Sequence, residues 1–421
     1  MSSKHKIKIK RKKKPFLDVT KYSQKSIELT KKITKNEKKN NGIYFTPPKT
    51  IKHNLELLKE YISSIETILE PSCGSCEYIN QLVNLNTNLK ITGIEYNETI
   101  FNSIKEKETN NVEIINEDFI RYESEINYDL IIGNPPYYVM KKCAVDKKYY
   151  QYFDGRPNIF ILFIIKSLEL LNENGILSFI LPKSFLNCIY YDKTRSHIYN
   201  NYKILNIVEC YDDYIETKQD TILLIIQNTK NFDNSEYLLN KSMLYILGQP
   251  NYIKQLKQLY EDSCSLKDLG FNVSVGNLVW NQHKDILCDD KSKTLLIYSS
   301  DITNGVLDIK TYKNDKKKNY IDKKGEHGPL LVINRGYGVG SYNFNYCLID
   351  IETDYLIENH LICIRYTKTK MESREELKKK YQMLIDSFNE PRTNTFIKLY
   401  FGNNAINTLE LSTILPIYTS I

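Results

Sequence analysis

The segment GNPPYY, residues 133–138, directly follows the apolar run YDLII and combines an amide, two prolines and two aromatic rings. Proline lacks the N–H that a central strand needs and also restricts the residue before it, so the chain must leave a sheet here in a rigid turn. The stiff pair Pro135-Pro136 separates the amide of Asn134 from the ring of Tyr137. This arrangement predicts a chemical site at the end of the strand.

Other residues with chemical potential follow earlier apolar runs. In EPSCGSCEY, Gly74 lets the backbone approach a ligand where a strand turns into a helix. Glu95 ends the next predicted strand, at the spacing of about 20 residues typical of a carboxylate that accepts from a ribose diol. Asp118 ends the third and could accept from an adenine amino group, with Phe119 beside the ring. Because ligands bind at the carboxyl ends of strands in open α/β sheets, we expect these residues to form one site.

Strands and helices alternate through roughly residue 230, which predicts a doubly wound, Rossmann-like α/β domain with a parallel sheet over residues 41–235. Thr46 is the predicted N-cap of its first helix, with Pro47 in the first turn. The apolar segment from residue 159 predicts a helix that closes at Gly175.

Beyond residue 235 the alternation stops, and residues 236–421 predict a mixed, β-richer second domain. One late helix is expected there, with a capping box between Ser373 and Glu376 and Pro391 beyond its end. The glycines of NRGYGVG, which are Gly336, Gly338 and Gly340, favour a turn over a phosphate loop.

The 421 residues carry a net charge of +7, but residues 1–40 alone account for +12 and the remainder for −5. Residues 1–40 therefore predict a flexible basic arm, either a solubilising tail or a segment that contacts nucleic acid or acts as a nuclear-import signal. The longest apolar runs are too short to span a membrane, and no secretory signal is expected. Nine scattered cysteines indicate reduced thiols, and the pair Cys73/Cys76 lacks the second pair a zinc site needs, so no metal is expected.

In their order along the chain, these motifs resemble the gamma-class, TaqI-type S-adenosylmethionine-dependent N6-adenine DNA methyltransferases. The resemblance lies in Tyr44-Phe45-Thr46-Pro47, in Glu70-Pro71-Ser72-Cys73-Gly74-Ser75-Cys76, in Glu95, in Asp118-Phe119 and in Asn134-Pro135-Pro136-Tyr137. It covers roughly residues 41–230 well and residues 240–421 only loosely, through GPLLVINRG and LELSTILPI. One departure is Cys76, which stands where the family has a second glycine.

The resemblance implies S-adenosylmethionine as the cofactor and assigns the site residues. The implied catalytic residues are Asn134 and Pro135, whose oxygens hold the target amine, Pro136, which stiffens the turn, and Tyr137, which stacks on the base. A second stacking ring is expected from a later loop, as Tyr214 or its rival Tyr211. The implied cofactor-binding residues are Tyr44, Thr46, Glu70, Pro71, Ser72, Gly74, Glu95, Asp118, Phe119 and Asn134.

The resemblance also implies a site-specific DNA methyltransferase that acts on the N6 amine of an adenine flipped out of double-stranded DNA. Residues 236–421 would be the target-recognition domain, with the lysines at 313–324 and Arg335 as candidate DNA contacts. The enzyme would be a cytoplasmic, monomeric modification methylase from a bacterial or viral source, and any cognate restriction endonuclease would be a separate chain.

Three alternatives remain open from the residues themselves. An RNA adenine methyltransferase or a protein glutamine-N5 methyltransferase could also use NPPY, because both present a planar nitrogen. A catalytically inactive nucleic-acid-binding relative is the third alternative. The YFTP element and the roughly 180 residues after the catalytic domain favour DNA, and the intact Asn134-Pro135-Pro136-Tyr137 favours an active enzyme.

Overall fold

The computed structural model describes residues 21–85, 88–212, 214–217, 219–303, 305–335, 344–367, 373–401 and 406–419. The glycines at 336, 338 and 340 and the first half of the basic arm lie outside the described residues. The chain divides into two compact units. The first extends to Asn240 and includes Leu244–Ile253, and the second comprises Lys241–Met243 and the chain from Lys254 onward.

A seven-stranded sheet forms the centre of the first unit. Its strands are β1 (Thr67–Glu70), β2 (Lys90–Ile94), β3 (Val112–Ile115), β4 (Tyr128–Gly133), β5 (Leu171–Pro182), β6 (Lys203–Cys210) and β7 (Thr221–Gln227). Their order is β3-β2-β1-β4-β5-β7-β6. Neighbours from β3 to β5 are parallel, whereas β7 is antiparallel to both β5 and β6. The predicted Rossmann-like fold is confirmed, with the addition of β6 and with an antiparallel direction for β7 that the alternation of elements did not indicate.

Both faces of this sheet are covered, which explains why its strands are apolar along most of their length. On β4, Ile131 packs into one hydrophobic cluster, while its neighbours Leu130 and Ile132 pack into the cluster on the other face. All three side chains are fully buried. The run YDLII therefore ends as a rigid, doubly buried strand directly before the polar loop that it presents.

Seven α-helices in the described part of the first unit precede or connect the strands of this sheet along the chain. They are α1 (Gln24–Lys32), α2 (Lys35–Asn41), α3 (Pro48–Leu57), α4 (Glu77–Leu85), α5 (Glu98–Ile104), α6 (Ile159–Glu169) and α7 (Asp192–Asn201). Three further elements lie where the chain crosses from the first unit to the second: β8 (Leu238–Lys241), β9 (Leu244–Leu247) and α8 (Pro250–Leu259). Among the described helices, none combines the length and apolar character needed to cross a bilayer.

Two helix boundaries differ from the sequence prediction. α3 begins one residue later than expected, with Pro47 as its N-cap and no capping bond from Thr46, because the proline conformation itself starts the helix. α6 ends at Glu169 instead of continuing to Gly175. Leu171 already pairs with Tyr128 of β4, so tertiary strand pairing overrides the helical preference of this leucine-rich segment.

The segment before residue 41 also differs from the expected flexible arm. Residues 24–41 form α1 and α2, and each helix has a side-chain N-cap. Ser23 accepts from the Ser26 N–H and Thr34 accepts from the Glu37 N–H. Gly42 ends α2 in the left-handed conformation, with φ of +65°. The second half of the predicted arm is therefore an ordered part of the first unit.

The second unit consists mainly of short strands, as predicted for a β-richer domain. They are β10 (Phe271–Val275), β11 (Leu287–Cys288), β12 (Thr294–Ile297), β13 (Ile302–Thr303), β14 (Val306–Leu307), β15 (Tyr320–Ile321), β16 (Leu330–Asn334), β17 (Tyr346–Ile349), β18 (Tyr355–Ile357) and β19 (Leu361–Tyr366). One sheet has the order β10-β19-β16-β17, a second has the order β11-β15-β12-β18, and β13 pairs with β14.

Helices complete the second unit near the end of the chain. They are α9 (Arg374–Asn389), α10 (Pro391–Phe396) and α11 (Thr408–Thr413). The capping box between Ser373 and Glu376 is confirmed at the start of α9, and Pro391 begins the next helix instead of only ending this one.

The loop between β1 and α4 has a backbone strain at the position where the sequence departs from the family pattern. Cys76 has φ of +63°, in the left-handed region that favours glycine. Its side chain is 0% exposed. The loop thus keeps a glycine-like conformation with a thiol in place, at a cost of about 1–2 kcal/mol.

We expect both Cys76→Gly and Cys73→Gly to lower the free energy of unfolding. The loss for Cys76→Gly should be smaller than the loss for Cys73→Gly by at least about 1 kcal/mol. Both changes remove a buried thiol from the same loop, but glycine relieves a left-handed backbone only at position 76. Urea unfolding of the two variants measures the difference. Equal losses of stability would contradict the strain at Cys76.

Candidate active site

A cavity of about 340 Å³ opens in the first unit at the carboxyl ends of its parallel strands. Sequence-predicted site residues form much of its wall: Tyr44, Pro71, Ser72, Gly74, Glu95, Asp118, Phe119, Asn134 and Pro136. Thr46 and Glu70 line a smaller adjoining cavity of about 30 Å³, together with Asn134. Pro135, Tyr137 and Tyr214 line neither of these two cavities.

Glu95 joins the loops that follow β1 and β2. Its Oε2 accepts from the Gly74 N–H at 2.9 Å, and its Oε1 accepts from the Asn97 N–H at 2.7 Å. Burial raises the pKa of Glu95 to about 7, although these two hydrogen bonds oppose the shift. The carboxyl group is therefore held rigidly in the cavity wall and titrates near neutral pH.

Glu70 is the buried acid at the end of β1. Its side chain is 3% exposed, and its Oε2 has no hydrogen-bond partner within the described part of the chain. Burial, together with the nearby Cys76, Glu77 and Glu95, raises the pKa of Glu70 well above its usual value. An unpartnered buried carboxyl oxygen favours a ligand that brings a donor or a positive charge.

Asn134 is held by hydrogen bonds from two other segments. The Ser72 hydroxyl donates to the Asn134 carbonyl oxygen at 3.1 Å, and Asn134 Nδ2 donates to the Tyr44 carbonyl at 3.3 Å. The Tyr137 hydroxyl lies 2.7 Å from both Asn134 Oδ1 and the Ile180 carbonyl oxygen. The amide nitrogen can only donate, so Oδ1 is the side-chain acceptor that Asn134 offers, and its second lone pair remains for a ligand beside the Tyr137 hydroxyl.

Tyr137 and Tyr214 lie close to Asn134, although they are outside the cavity walls. The Tyr137 ring packs edge-on against Phe160, with centroids 5.9 Å apart. Tyr214 is 8% exposed, and its hydroxyl is directed toward the side chains of Thr221 and Asn134. Burial raises the pKa values of both tyrosines, and the nearby Tyr214 also contributes to raising the pKa of Tyr137. The rival Tyr211 is 86% exposed, so the structure brings Tyr214 and not Tyr211 to the interior of the site.

The end of β3 contributes the last two predicted residues. Asp118 lines the cavity, and its Oδ1 accepts from the Ile120 N–H at 3.0 Å. Phe119 is 1% exposed, and its ring packs against Phe163 with centroids 4.9 Å apart. Asp118 thus presents a polar group beside an apolar wall.

Several residues of the cavity wall were not predicted from the sequence. They are Tyr96, Asn97, Tyr138, Met140, Val145, Leu162 and Phe163, among others. Tyr96 and Tyr138 directly follow predicted site residues, and this adjacency was a usable signal. Leu162 and Phe163 gave no such signal, because a residue inside a wholly apolar helix is indistinguishable from ordinary core.

The profile of the Eco57I restriction-modification methylase family matches residues 52–215. The type II methyltransferase M.CvrRI of Paramecium bursaria Chlorella virus XZ-6E is 27% identical over 92% of this chain and 96% of its own length. The modification methylase CviBIII of Paramecium bursaria Chlorella virus NC1A is 27% identical over 94% of this chain and 99% of its own.

Among solved structures, a cryo-EM structure of a DrdV–DNA complex aligns with a TM-score of 0.50 and 12% identity. It covers 88% of this chain and 54% of that one, and at this identity it supports the fold alone. The chain is thus a methyltransferase of the restriction-modification type, and the predicted cofactor S-adenosylmethionine is the methyl donor that this family implies.

The residues present fit this cofactor. S-adenosylmethionine carries a ribose diol, an adenine amino group, a cationic sulfonium and an α-ammonium group. The cavity offers two carboxylates, Glu95 and Asp118, beside the apolar wall of Phe119. The unpartnered Oε2 of Glu70 is the acceptor that a bound cation would satisfy.

We expect the affinity for S-adenosylmethionine to rise as pH increases through about 7 and then to level off. Protonation of Glu95 in the free protein removes a charged acceptor, so affinity should fall by up to about tenfold per pH unit below the pKa. Isothermal titration calorimetry across the neutral range measures this dependence. Glu95→Gln removes the titrating group and should flatten the profile, and an equally flat wild-type profile would contradict this role.

Proposed function

We propose that this protein methylates the N6 amine of a flipped-out adenine at a specific site in double-stranded DNA, as the modification enzyme of a restriction-modification system. The observation that carries the proposal is the amide of Asn134, which is oriented by Tyr44 and lines the cofactor cavity. The match to the methylase family and the two viral methyltransferase relatives support DNA as the substrate.

The chemistry requires acceptors rather than a strong base. The lone pair of an exocyclic adenine amine is delocalised into the ring, so the nitrogen is a poor nucleophile. Asn134 Oδ1 and the Pro135 carbonyl would accept its two hydrogens and favour a tetrahedral nitrogen. Because the loop is stiff and the amide is already oriented, little reorganisation accompanies the transfer. When bound, S-adenosylmethionine supplies the electrophilic methyl group.

Each remaining wall residue has a role in this proposal. Glu95 would accept from the ribose hydroxyls, and Asp118 from the adenine amino group of the cofactor, beside Phe119. Thr46, Glu70 and Ser72, with Tyr44, Pro71 and Gly74, would surround the methionine portion. These assignments follow the donor and acceptor types of the side chains and their places in the two cavities.

The target base would be held by aromatic rings after it leaves the duplex. Tyr137 follows Asn134 by three residues, and Tyr214 lies near enough to Tyr137 to contribute to raising its pKa. Stacking on such rings contributes about 1–3 kcal/mol per base. We assign both tyrosines to the flipped adenine, with Pro136 holding the turn rigid.

The second unit would select the DNA site. Among the lysines predicted as DNA contacts, Lys317 is already engaged with the rings of Tyr298 and Tyr312, at 4.0 and 3.7 Å, and Lys318 pairs with Asp289 at 2.6 Å. Arg335 is exposed. We therefore regard Arg335 and the exposed Lys313 and Lys316 as stronger candidates than Lys317. A separate chain would supply any cognate endonuclease, and we propose that the methyltransferase acts as a monomer.

The loop between β4 and α6 supports nucleic acid over a protein substrate. It contributes Met140, Val145 and Asp146 to the cavity wall. It also carries the exposed cations Lys141, Lys147 and Arg156, none of which pairs with a carboxylate of the described residues. Unpaired cations beside the site suit the phosphates of a polynucleotide.

Radiolabelled methyl transfer to duplex DNA tests the proposal. Wild-type protein should label adenine as N6-methyladenine, and Asn134→Ala should lower kcat roughly 100-fold or more, because one preorganised acceptor is lost. Digestion of the product DNA to nucleosides separates N6-methyladenine from N4-methylcytosine.

Control reactions contain RNA or total cellular protein in place of DNA. Label in N4-methylcytosine would overturn the adenine assignment, and label only in RNA or protein would overturn the DNA assignment. An inactive wild-type protein that still binds duplex DNA would favour a non-catalytic role.

The combined change of Lys141, Lys147 and Arg156 to alanine should weaken DNA binding and reduce its salt dependence. The slope of log K against log salt should fall by about 0.9 for each phosphate contact that is lost. The matched control replaces Lys59, Lys90 and Lys203, which are exposed near the opposite ends of the parallel strands. The same slope in both triple variants would contradict a phosphate contact by this loop.

A further inference from the structure

Lys38 on α2 is a buried cation in the first unit. Its side chain is only 5% exposed. Nζ donates to the Thr30 carbonyl at 2.6 Å and to Glu216 Oε1 at 2.7 Å. A buried ammonium group is costly unless it is paired and hydrogen-bonded, so this geometry strongly favours the loop position that keeps Glu216 in place.

Glu216 lies in the loop between β6 and β7 that carries Tyr214. A second anchor lies on the other side of this tyrosine, where the Thr50 hydroxyl donates to Asp212 Oδ2 at 2.8 Å. The two anchored acids are therefore the residues two positions before and two positions after Tyr214. Their partners, on α2 and α3, belong to the segment that precedes β1 rather than to the loop itself.

The same part of α2 also contacts the cofactor side of the site. Glu37 Oε1 accepts from Asn97 Nδ2 at 2.9 Å, and the Asn97 N–H donates to Glu95. Just beyond α2, a side chain at Gly42 would lie only 2.6 Å from the Tyr137 nitrogen. Adjacent residues 37 and 38 thus connect one short helix to the cofactor wall and to the aromatic loop.

We infer that Lys38 is a positioning residue, which holds Tyr214 beside Asn134 through its buried ion pair with Glu216. The inference rests on the proposed function, because Tyr214 is useful there only if an aromatic ring must contact the flipped base. Lys38 would then support base binding from α2 without contacting the base itself.

Lys38→Met tests this role, since it keeps an unbranched apolar side chain and removes the ammonium group. Hydrogen exchange of the peptide covering residues 211–220 should become at least about tenfold faster, because the loop loses one of its two anchors. With DNA that carries 2-aminopurine at the target position, the fluorescence increase on binding should be at least halved. The kcat should fall at least about tenfold, while the affinity for S-adenosylmethionine stays within about twofold.

The double variant Lys38→Met/Glu216→Met shows whether Lys38 acts through Glu216. Two apolar partners leave no unpaired buried charge, so the double variant should lose no more kcat than Lys38→Met alone. The matched control is Lys25→Met, on the neighbouring helix α1. It removes the ion pair of Lys25 with Glu106 and should leave all readouts unchanged.

Several outcomes would overturn the inference. One is a hydrogen-exchange rate of residues 211–220 in Lys38→Met that equals the wild-type rate. A parallel loss of cofactor affinity and kcat would show general damage, and additive losses in the double variant would show independent roles. If the wild-type protein transfers no methyl group to DNA, the proposed function fails. Faster exchange confined to residues 211–220 in Lys38→Met would still support the anchor.

Discussion

The orientation of one amide is the constraint on which the rest of the site depends. An asparagine can accept from a target amine only if its oxygen faces that amine, and here the Tyr44 carbonyl takes Asn134 Nδ2 at 3.3 Å. The site therefore needs two segments in register. β4 must end at Gly133 as a doubly buried strand, and residues 41–45 must cross beside it. Gly42 permits this crossing, since any side chain there would clash with the Tyr137 backbone nitrogen.

Buried acids set the electrostatic character of the cavities. Burial raises the pKa values of both Glu70 and Glu95, and only Glu95 has both carboxyl oxygens satisfied by backbone N–H groups. The two residues are thus suited to different partners. Glu95 is a rigid acceptor for neutral hydroxyls, and Glu70 is an unsatisfied acceptor for a cation. A ligand that combines a sugar with positive charge matches this division, and S-adenosylmethionine has both.

Much of the fold was predictable because its signals are local. Apolar runs predicted most strands of the sheet, and turn residues marked the polar loops at their ends. Thr46 and Gly175 were misassigned as helix boundaries because proline geometry and pairing with β4 decide where those helices begin and end. The strain at Cys76 could not be read from its residue type, since only the backbone conformation reveals it.

The sequence alone determined which residue types reach the carboxyl edge of the sheet, because strand length and turn chemistry place Glu70, Glu95, Asp118 and Asn134 there in order. Tertiary structure decided what depends on contacts between distant segments. Tyr214 rather than Tyr211 turns inward, and Lys38 pairs with Glu216 across 178 residues of chain. Residues 1–40 were expected to be a flexible arm, but α1 and α2 form from residue 24 onward. Burial of a charged side chain is a collective property of the folded chain, and no local pattern encodes it.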